Sequence, residues 1–320
     1  MTLYAATAPA GLTPPVALLF PGQGVQRPGM GLELTRRFPG AARALELAEE
    51  VLEMPVKRLC FEGPAAELLR TENIQPCLVA VSYAAFEAYR VSFGIDRIAV
   101  VAGHSLGELS ALAASGSVSW EEALLLARER GRLMADAAST SPGRMLAIVG
   151  LLEGQVEEIR QEAGRAGGIW MANLNSPDQF ILSGEAAAIA VAESLANRAK
   201  ARRVVVLDIP LGAHSPLMAR AAAKLAERVR ALPLKAPQIP LIANGSGFVL
   251  HSTASIRAEL AGHLLRPVLW ARTMAAMQRL RIATVVELGP GRVLASLAAK
   301  HMTGVATWNV DELLLDGQGA

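Results

Sequence analysis

The 320-residue sequence holds few cysteines, few aromatics, no surplus of one charge and no long apolar run. Each shortage excludes something. The two cysteines, Cys60 and Cys77, are too few and too far apart for a zinc motif or a disulfide framework. They read as core thiols in a reducing compartment. Aromatic residues make up 4% of the chain, so alanine, leucine and valine must fill the core. Lys plus Arg is 31 against 29 Asp plus Glu, a net charge of +2. That balance rules out a polyanion-coating protein but leaves room for a local basic patch. No stretch of about 18 apolar residues is present, so no membrane span is expected. The N-terminal "MTLYAATAPAGLTPP" lacks the basic and apolar regions of a secretory signal. A cytoplasmic protein that binds neither nucleic acid nor membrane is expected.

What is present is a core-rich chain, 52% hydrophobic and 19% charged. It is long enough for one large domain, or for a large domain with a smaller one attached. Short apolar runs at Val16–Phe20, Ile98–Ala102, Pro240–Asn244 and Thr284–Leu288 read as buried strands. Long helical patterns lie between them, and Ser119 with Glu122 forms a capping-box signature. This alternation predicts an α/β fold with a mainly parallel sheet. Between about Ala138 and Leu207 the order becomes β-α-β-β-α-β, the split ferredoxin-like unit. The expected division is therefore 1–137 with 208–320 as the large subdomain, and 138–207 as an inserted small one.

"GHSLG", Gly103–Gly107, fits G-x-S-x-G between a strand and a helix. Glycines allow a sharp turn that lifts Ser105 off the sheet, and the helix start aims free N–H groups at the same point. A glycine-bounded turn with a capping serine is the plainer alternative. A serine nucleophile needs a base. His214, in "DIPLGAHSPLM", follows the inserted unit and can return to the main subdomain; His104 adjoins the serine, but neighbours on a tight turn point apart. Asp136, Asp178 and Asp208 carry no signal that marks a triad acid. Arg130 continues the apolar stripe of Ala123, Leu126, Ala127, Leu133 and Met134, whereas Arg128 and Arg132 lie on the other side. An inward arginine needs an anion, either an internal carboxylate or that of a ligand.

Taken together, the motifs resemble the malonyl-CoA:acyl carrier protein transacylases and the acyltransferase domains of polyketide synthases. "LLFPGQGVQRPGMG", "NIQPCLVAVS", "GHSLGELSAL", "RERGRLM", "GRMLAIVG", "ANLNSPDQFILSG", "AHSPLM", "RPVLW" and "VELGPGRVL" follow in that family's order. The resemblance runs from about Val16 to His301 and implies an α/β-hydrolase-like large subdomain carrying the ferredoxin-like insert. It implies Ser105 as the acylated nucleophile and His214 as its base. Backbone N–H groups of Gln23 and Leu106 would form the oxyanion hole, and Arg130 would hold a malonyl carboxylate. A backbone carbonyl, placed at His263, would orient His214, and Gln75, Asn173 and Asn175 would support the site.

The implied reaction moves a malonyl-type group from an acyl-CoA to the phosphopantetheine thiol of an acyl carrier protein, free or within a polyketide synthase. It implies no metal and no bound cofactor. A monomer acting in trans is expected, because the chain begins and ends near the limits of the resemblance. Related editing hydrolases lack the arginine, and a non-catalytic carrier-binding module would not need Ser105, His214 and Arg130 together. Before the histidine, polyketide acyltransferases often carry a bulky aromatic for malonyl or a serine for methylmalonyl; here Leu211-Gly212-Ala213 matches neither. That departure leaves the acyl side chain open, with Leu211 and Ala213 as its pocket, and leans toward polyketide over fatty-acid assembly.

Overall fold

Val16–Phe20 (β1) is apolar at every position because both of its faces are covered. Val16, Leu18 and Phe20 enter one core cluster, and Ala17 and Leu19 enter another. In the computed structural model, which describes residues 12–209 and 211–316, β1 sits inside a six-stranded sheet. The first eleven residues of the segment read above as lacking a secretory signal lie outside the described residues.

Among the described residues the other strands are Ile98–Gly103 (β2), Arg144–Val149 (β3), Ile169–Ser176 (β4), Gln179–Gly184 (β5), Arg203–Val206 (β6), Leu241–Ile242 (β7), Val249–Leu250 (β8), Thr284–Glu287 (β9) and Ala306–Asn309 (β10). The large sheet has the order β10-β9-β1-β2-β7-β8, parallel except for the β7–β8 pair. The expected strand Pro240–Asn244 shortens to two residues. The chain turns back at Asn244–Gly247 to form the antiparallel β8, with Ala243 N–H bonded to the Phe248 carbonyl.

The second sheet, β4-β5-β3-β6, is antiparallel and carries the helices Glu153–Ala163 and Ala186–Arg198. It has its own core around Leu146, Ile148, Phe180 and Leu182. It meets the large subdomain through a bridge from Asn173 to Val268. Ser119 caps the helix Trp120–Thr140 as expected, accepting the Glu122 N–H at 3.2 Å. The reciprocal half of the capping box is missing, because the Glu122 carboxylate pairs with Arg228. Among the described residues no helix is long and apolar enough to cross a membrane.

Candidate active site

Ser105 stands at the C-terminal end of β2, at the start of the helix Gly107–Ala114. Its φ of 50° lies in the left-handed region, which a non-glycine residue holds only under constraint. The flanking glycines answer to packing. A Cβ on Gly103 would lie 2.0 Å from the Gly107 backbone, and one on Gly107 would lie 2.0 Å from the Phe20 carbonyl oxygen. Strand and helix therefore cross too closely for any side chain at either position.

Ser105 Oγ lies 2.8 Å from His214 Nε2. His214 Nδ1 donates to the Arg266 carbonyl at 2.9 Å. That bond places the ring proton on Nδ1 and leaves the Nε2 lone pair facing the serine. Burial first, then the charge of Arg130, pushes the His214 pKa down to about 3, so the ring is neutral at ordinary pH and its Nε2 lone pair is free to take a proton. Asp136 and Asp208 are exposed, and Asp178 pairs with Lys300 and Arg202; none of the three serves as a triad acid.

The orienting carbonyl expected at His263 is a correction. The chain leaves the helix Thr253–Gly262 in a turn, with Leu265 and Arg266 N–H groups bonded to the Gly262 carbonyl, and this turn delivers the Arg266 carbonyl to His214. The His263 carbonyl makes only a smaller backbone contribution to the ring. His263 instead presents its imidazole beneath the serine, with Nε2 3.1 Å from the Ser105 carbonyl oxygen and 3.2 Å from Glu108 Oε2.

Arg130 is buried, as its place on the stripe required, while Arg132 is exposed and Arg128 donates to the Leu52 carbonyl. Arg130 Nη1 donates to Gln75 Oε1 at 2.7 Å, and Nη2 donates to Ser105 Oγ at 3.2 Å. Its Nε has no partner among the described residues. Burial lowers its pKa to about 10, which leaves it charged at neutral pH, and the nearby Glu108 carboxyl offsets only part of that shift. Gln75 in turn donates to Gln23 Oε1 at 3.2 Å. The backbone N–H groups of Gln23 and Leu106 have no protein acceptor among the described residues. Leu106 lies at the helix start, where N–H groups are left over.

Asn173 and Asn175, on β4, do not reach the serine. Asn175 Oδ1 lies 2.8 Å and Asn173 Nδ2 3.2 Å from His104 Nε2, so His104 is engaged away from Ser105. A cavity of about 180 Å³ opens beside Ser105 and His214 between the two sheets; Leu211, Ala213, Met145 and Ile181 form part of its apolar wall.

Two polar residues escaped the sequence reading. Asn244 Oδ1 accepts the Ser105 N–H at 2.7 Å while its Nδ2 donates to the Gly103 carbonyl at 2.5 Å. Glu108 Oε1 accepts the Asn244 N–H at 2.9 Å. Glu108 had one available signal, a lone acid in an otherwise apolar helix start. Asn244 had none, because it becomes relevant only when β7 lies beside β2.

The acyl transferase domain family matches residues 17–313. A malonyl CoA-acyl carrier protein transacylase of Bacillus subtilis is 38% identical over 286 residues, 89% of this chain and 90% of that one. Its counterpart from Escherichia coli is 32% identical over 284 residues, 89% of this chain and 92% of that one. The solved transacylase of Coxiella burnetii superposes with a TM-score of 0.90 at 32% identity, covering 97% of each chain. A malonyl-transacylase solved in complex with its type II polyketide acyl-carrier protein superposes at 0.88 with 31% identity, covering 94% of this chain and 99% of that one. A hydrogen-bonded serine–histidine pair on a strand–turn–helix elbow and a match across nearly the whole chain lead to one conclusion: this chain belongs to the acyl transferase domain family.

Proposed function

We propose that this protein is a malonyl-CoA:acyl carrier protein S-malonyltransferase that works through a Ser105 acyl-enzyme. The observation that carries the reading is Arg130, a buried guanidinium beside Ser105 Oγ, whose Nε is unbonded and whose hydrogen-bonded partners are neutral among the described residues. A buried cation without a close anion is costly unless a ligand supplies one. A free acyl carboxylate supplies it and fits the guanidinium fork.

The chemistry is ping-pong. Ser105 Oγ attacks the thioester carbonyl as His214 Nε2 takes its proton, and the Gln23 and Leu106 N–H groups stabilise the oxyanion. The C–S bond breaks, and CoA leaves as a thiol with the proton from His214. The phosphopantetheine thiol then gives its proton to His214 and attacks the ester. The C–Oγ bond breaks, and the proton returns to Ser105. Acyl-CoA and carrier are both substrates, and the reaction needs neither metal nor cofactor.

Arg130 also favours transfer over hydrolysis, because a carboxylate locked against it fixes the ester where a thiol can reach it. We place the enzyme in the cytoplasm as a monomer, with residues 138–207 as the small subdomain that walls the acyl cavity and Asn173 and Asn175 as supports for His104. Intact-mass spectrometry after exposure to malonyl-CoA tests the reading. The expected result is one malonyl addition on Ser105, lost in Ser105→Ala and discharged by holo-carrier protein. A malonyl mass on a peptide lacking Ser105 would overturn it.

A further inference from the structure

Both polar groups of the Ser105 backbone are held by buried side chains or helix N–H groups. Its N–H goes to Asn244 Oδ1 at 2.7 Å. Its carbonyl oxygen accepts the Glu108 N–H at 2.9 Å and lies 3.1 Å from His263 Nε2. A carbonyl oxygen only accepts, so His263 Nε2 carries a proton and donates to it. The His263 Nδ1 atom is buried without a partner among the described residues, consistent with an unprotonated nitrogen there. Glu108 joins the two holders, accepting the Asn244 backbone N–H on Oε1 and lying 3.2 Å from His263 Nε2 on Oε2.

We propose that the His263 imidazole is a positioning residue for the nucleophile: with Asn244 and Glu108 it clamps the peptide groups of Ser105 in the left-handed turn that aims Oγ at His214. The proposal rests on Ser105 being the nucleophile. A left-handed serine persists only where its surroundings over-determine it. The three holders come from separate elements, namely the helix Gly107–Ala114, the end of β7 and the turn after the helix Thr253–Gly262. His263 touches neither the Arg130 fork nor the Ser105 hydroxyl, and its proton-bearing nitrogen is already engaged. It is therefore neither a second base nor a carboxylate ligand. Its loss lets the elbow relax, and displacing a nucleophile by a fraction of an ångström to 1 Å slows attack while leaving substrate binding in place.

The test compares His263→Gln, whose amide N–H reaches the same carbonyl, with His263→Leu, which keeps the bulk but lacks the donor. In His263→Leu, kcat should fall by roughly 10- to 100-fold with KM for malonyl-CoA little changed. Acetyl transfer should fall by the same factor, and so should labelling of Ser105 by phenylmethylsulfonyl fluoride. His263→Gln should restore most of all three. The sulfonyl fluoride reads the serine without malonyl-CoA or carrier protein. Absence of Ser105 labelling in the unmodified protein would overturn the nucleophile itself. Wild-type labelling in His263→Leu, a loss confined to malonyl substrates, or a folded His263→Gln as slow as His263→Leu would each overturn the clamp. Should the leucine variant fail to fold, the glutamine variant alone decides it by its kcat and labelling rate.

Discussion

The Arg266 carbonyl oxygen accepts the Nδ1 proton of His214 at 2.9 Å. A neutral carbonyl orients the ring with a weaker pull toward protonation than a carboxylate exerts, and burial keeps the pKa near 3 against an ordinary 6.5. The acylation rate constant kcat/KM should therefore stay flat between about pH 5 and pH 7.5. An inflection near 6.5 assigned to His214 would contradict this. His214→Ala should slow acylation by about 10²–10⁴-fold. The same shift bears on stability: the neutral ring is favoured in the folded state, so its contribution is complete above pH 6.5 and is lost as pH falls through about 3. Glu108 runs the other way. Burial raises it from 4.5 to about 8, so its neutral form favours folding at low pH and that contribution is lost as pH rises through about 8.

Arg130→Ala should cost malonyl transfer far more than acetyl transfer, since only malonyl offers a free carboxylate. Removing one member of a desolvated charge-assisted pair costs roughly 2–5 kcal/mol. Arg130→Lys should recover little, because a point charge does not reproduce the fork that reaches Gln75 and Ser105 together. Parallel kcat/KM measurements on both thioesters check this. Equal losses would make Arg130 structural.

The readable parts of the sequence were those set by local pattern. G-x-S-x-G placed the serine, the 3.6-residue stripe placed Arg130 inward, and apolar runs outlined the small sheet and four strands of the large one, while the edge strands β8 and β10 carried no such run. The errors came where the tertiary path decides. His263, a few residues ahead of "RPVLW", is the expected source of the orienting carbonyl, but the turn after its helix brings the Arg266 carbonyl to His214 and sets the His263 ring against the Ser105 carbonyl. Glu122 has the capping-box spacing, yet Arg228, 106 positions away, claims its carboxylate. Asn244 looked like the end of a strand, and only the β2–β7 pairing turns it toward Ser105. No local rule anticipates partners brought in from another element.

Carrier docking follows from where the fold puts the exposed basic residues. Arg198, Lys200, Arg202 and Arg203 form one sequence cluster, and Arg266, Arg272, Arg279 and Arg281 form another; all eight are exposed. Arg266 itself supplies the carbonyl that partners His214, and Arg272 lies in the first turn of the helix Trp270–Arg279. Arg279 and Arg281 precede the N-terminal end of β9, which runs parallel to β1 and β2, so they sit at the opposite end of the sheet from Ser105. Arg202 is already paired with Asp178. Charge reversal at Arg272 should raise KM for the carrier and leave acylation by malonyl-CoA unchanged, with the difference fading at high salt; reversal at Arg266, whose carbonyl orients His214 and whose guanidinium pairs with Glu259, should slow acylation as well. Reversal at Arg279 or Arg281 should do neither. A carrier KM insensitive to Arg272 would dismiss this edge as the docking site.

Ala213 immediately precedes the base and is buried against the cavity, with Leu211 beside it on the same wall. Its methyl leaves space near the α-carbon of a bound acyl group that a bulky aromatic would fill. The neighbouring Met145 and Ile181 make that space apolar, so an α-methyl group meets no polar penalty there. A pocket of this kind distinguishes one methyl by only about 1–3 kcal/mol. Malonyl should be preferred, with methylmalonyl a slower but measurable substrate. Ala213→Phe should depress methylmalonyl transfer more than malonyl transfer, because the ring takes the volume the extra methyl requires while Arg130 still holds the carboxylate. Competition between the two thioesters for a limiting carrier protein reads the ratio directly. A phenylalanine variant that loses both equally, or a parent enzyme that prefers methylmalonyl, would show that another wall of the cavity sets the choice.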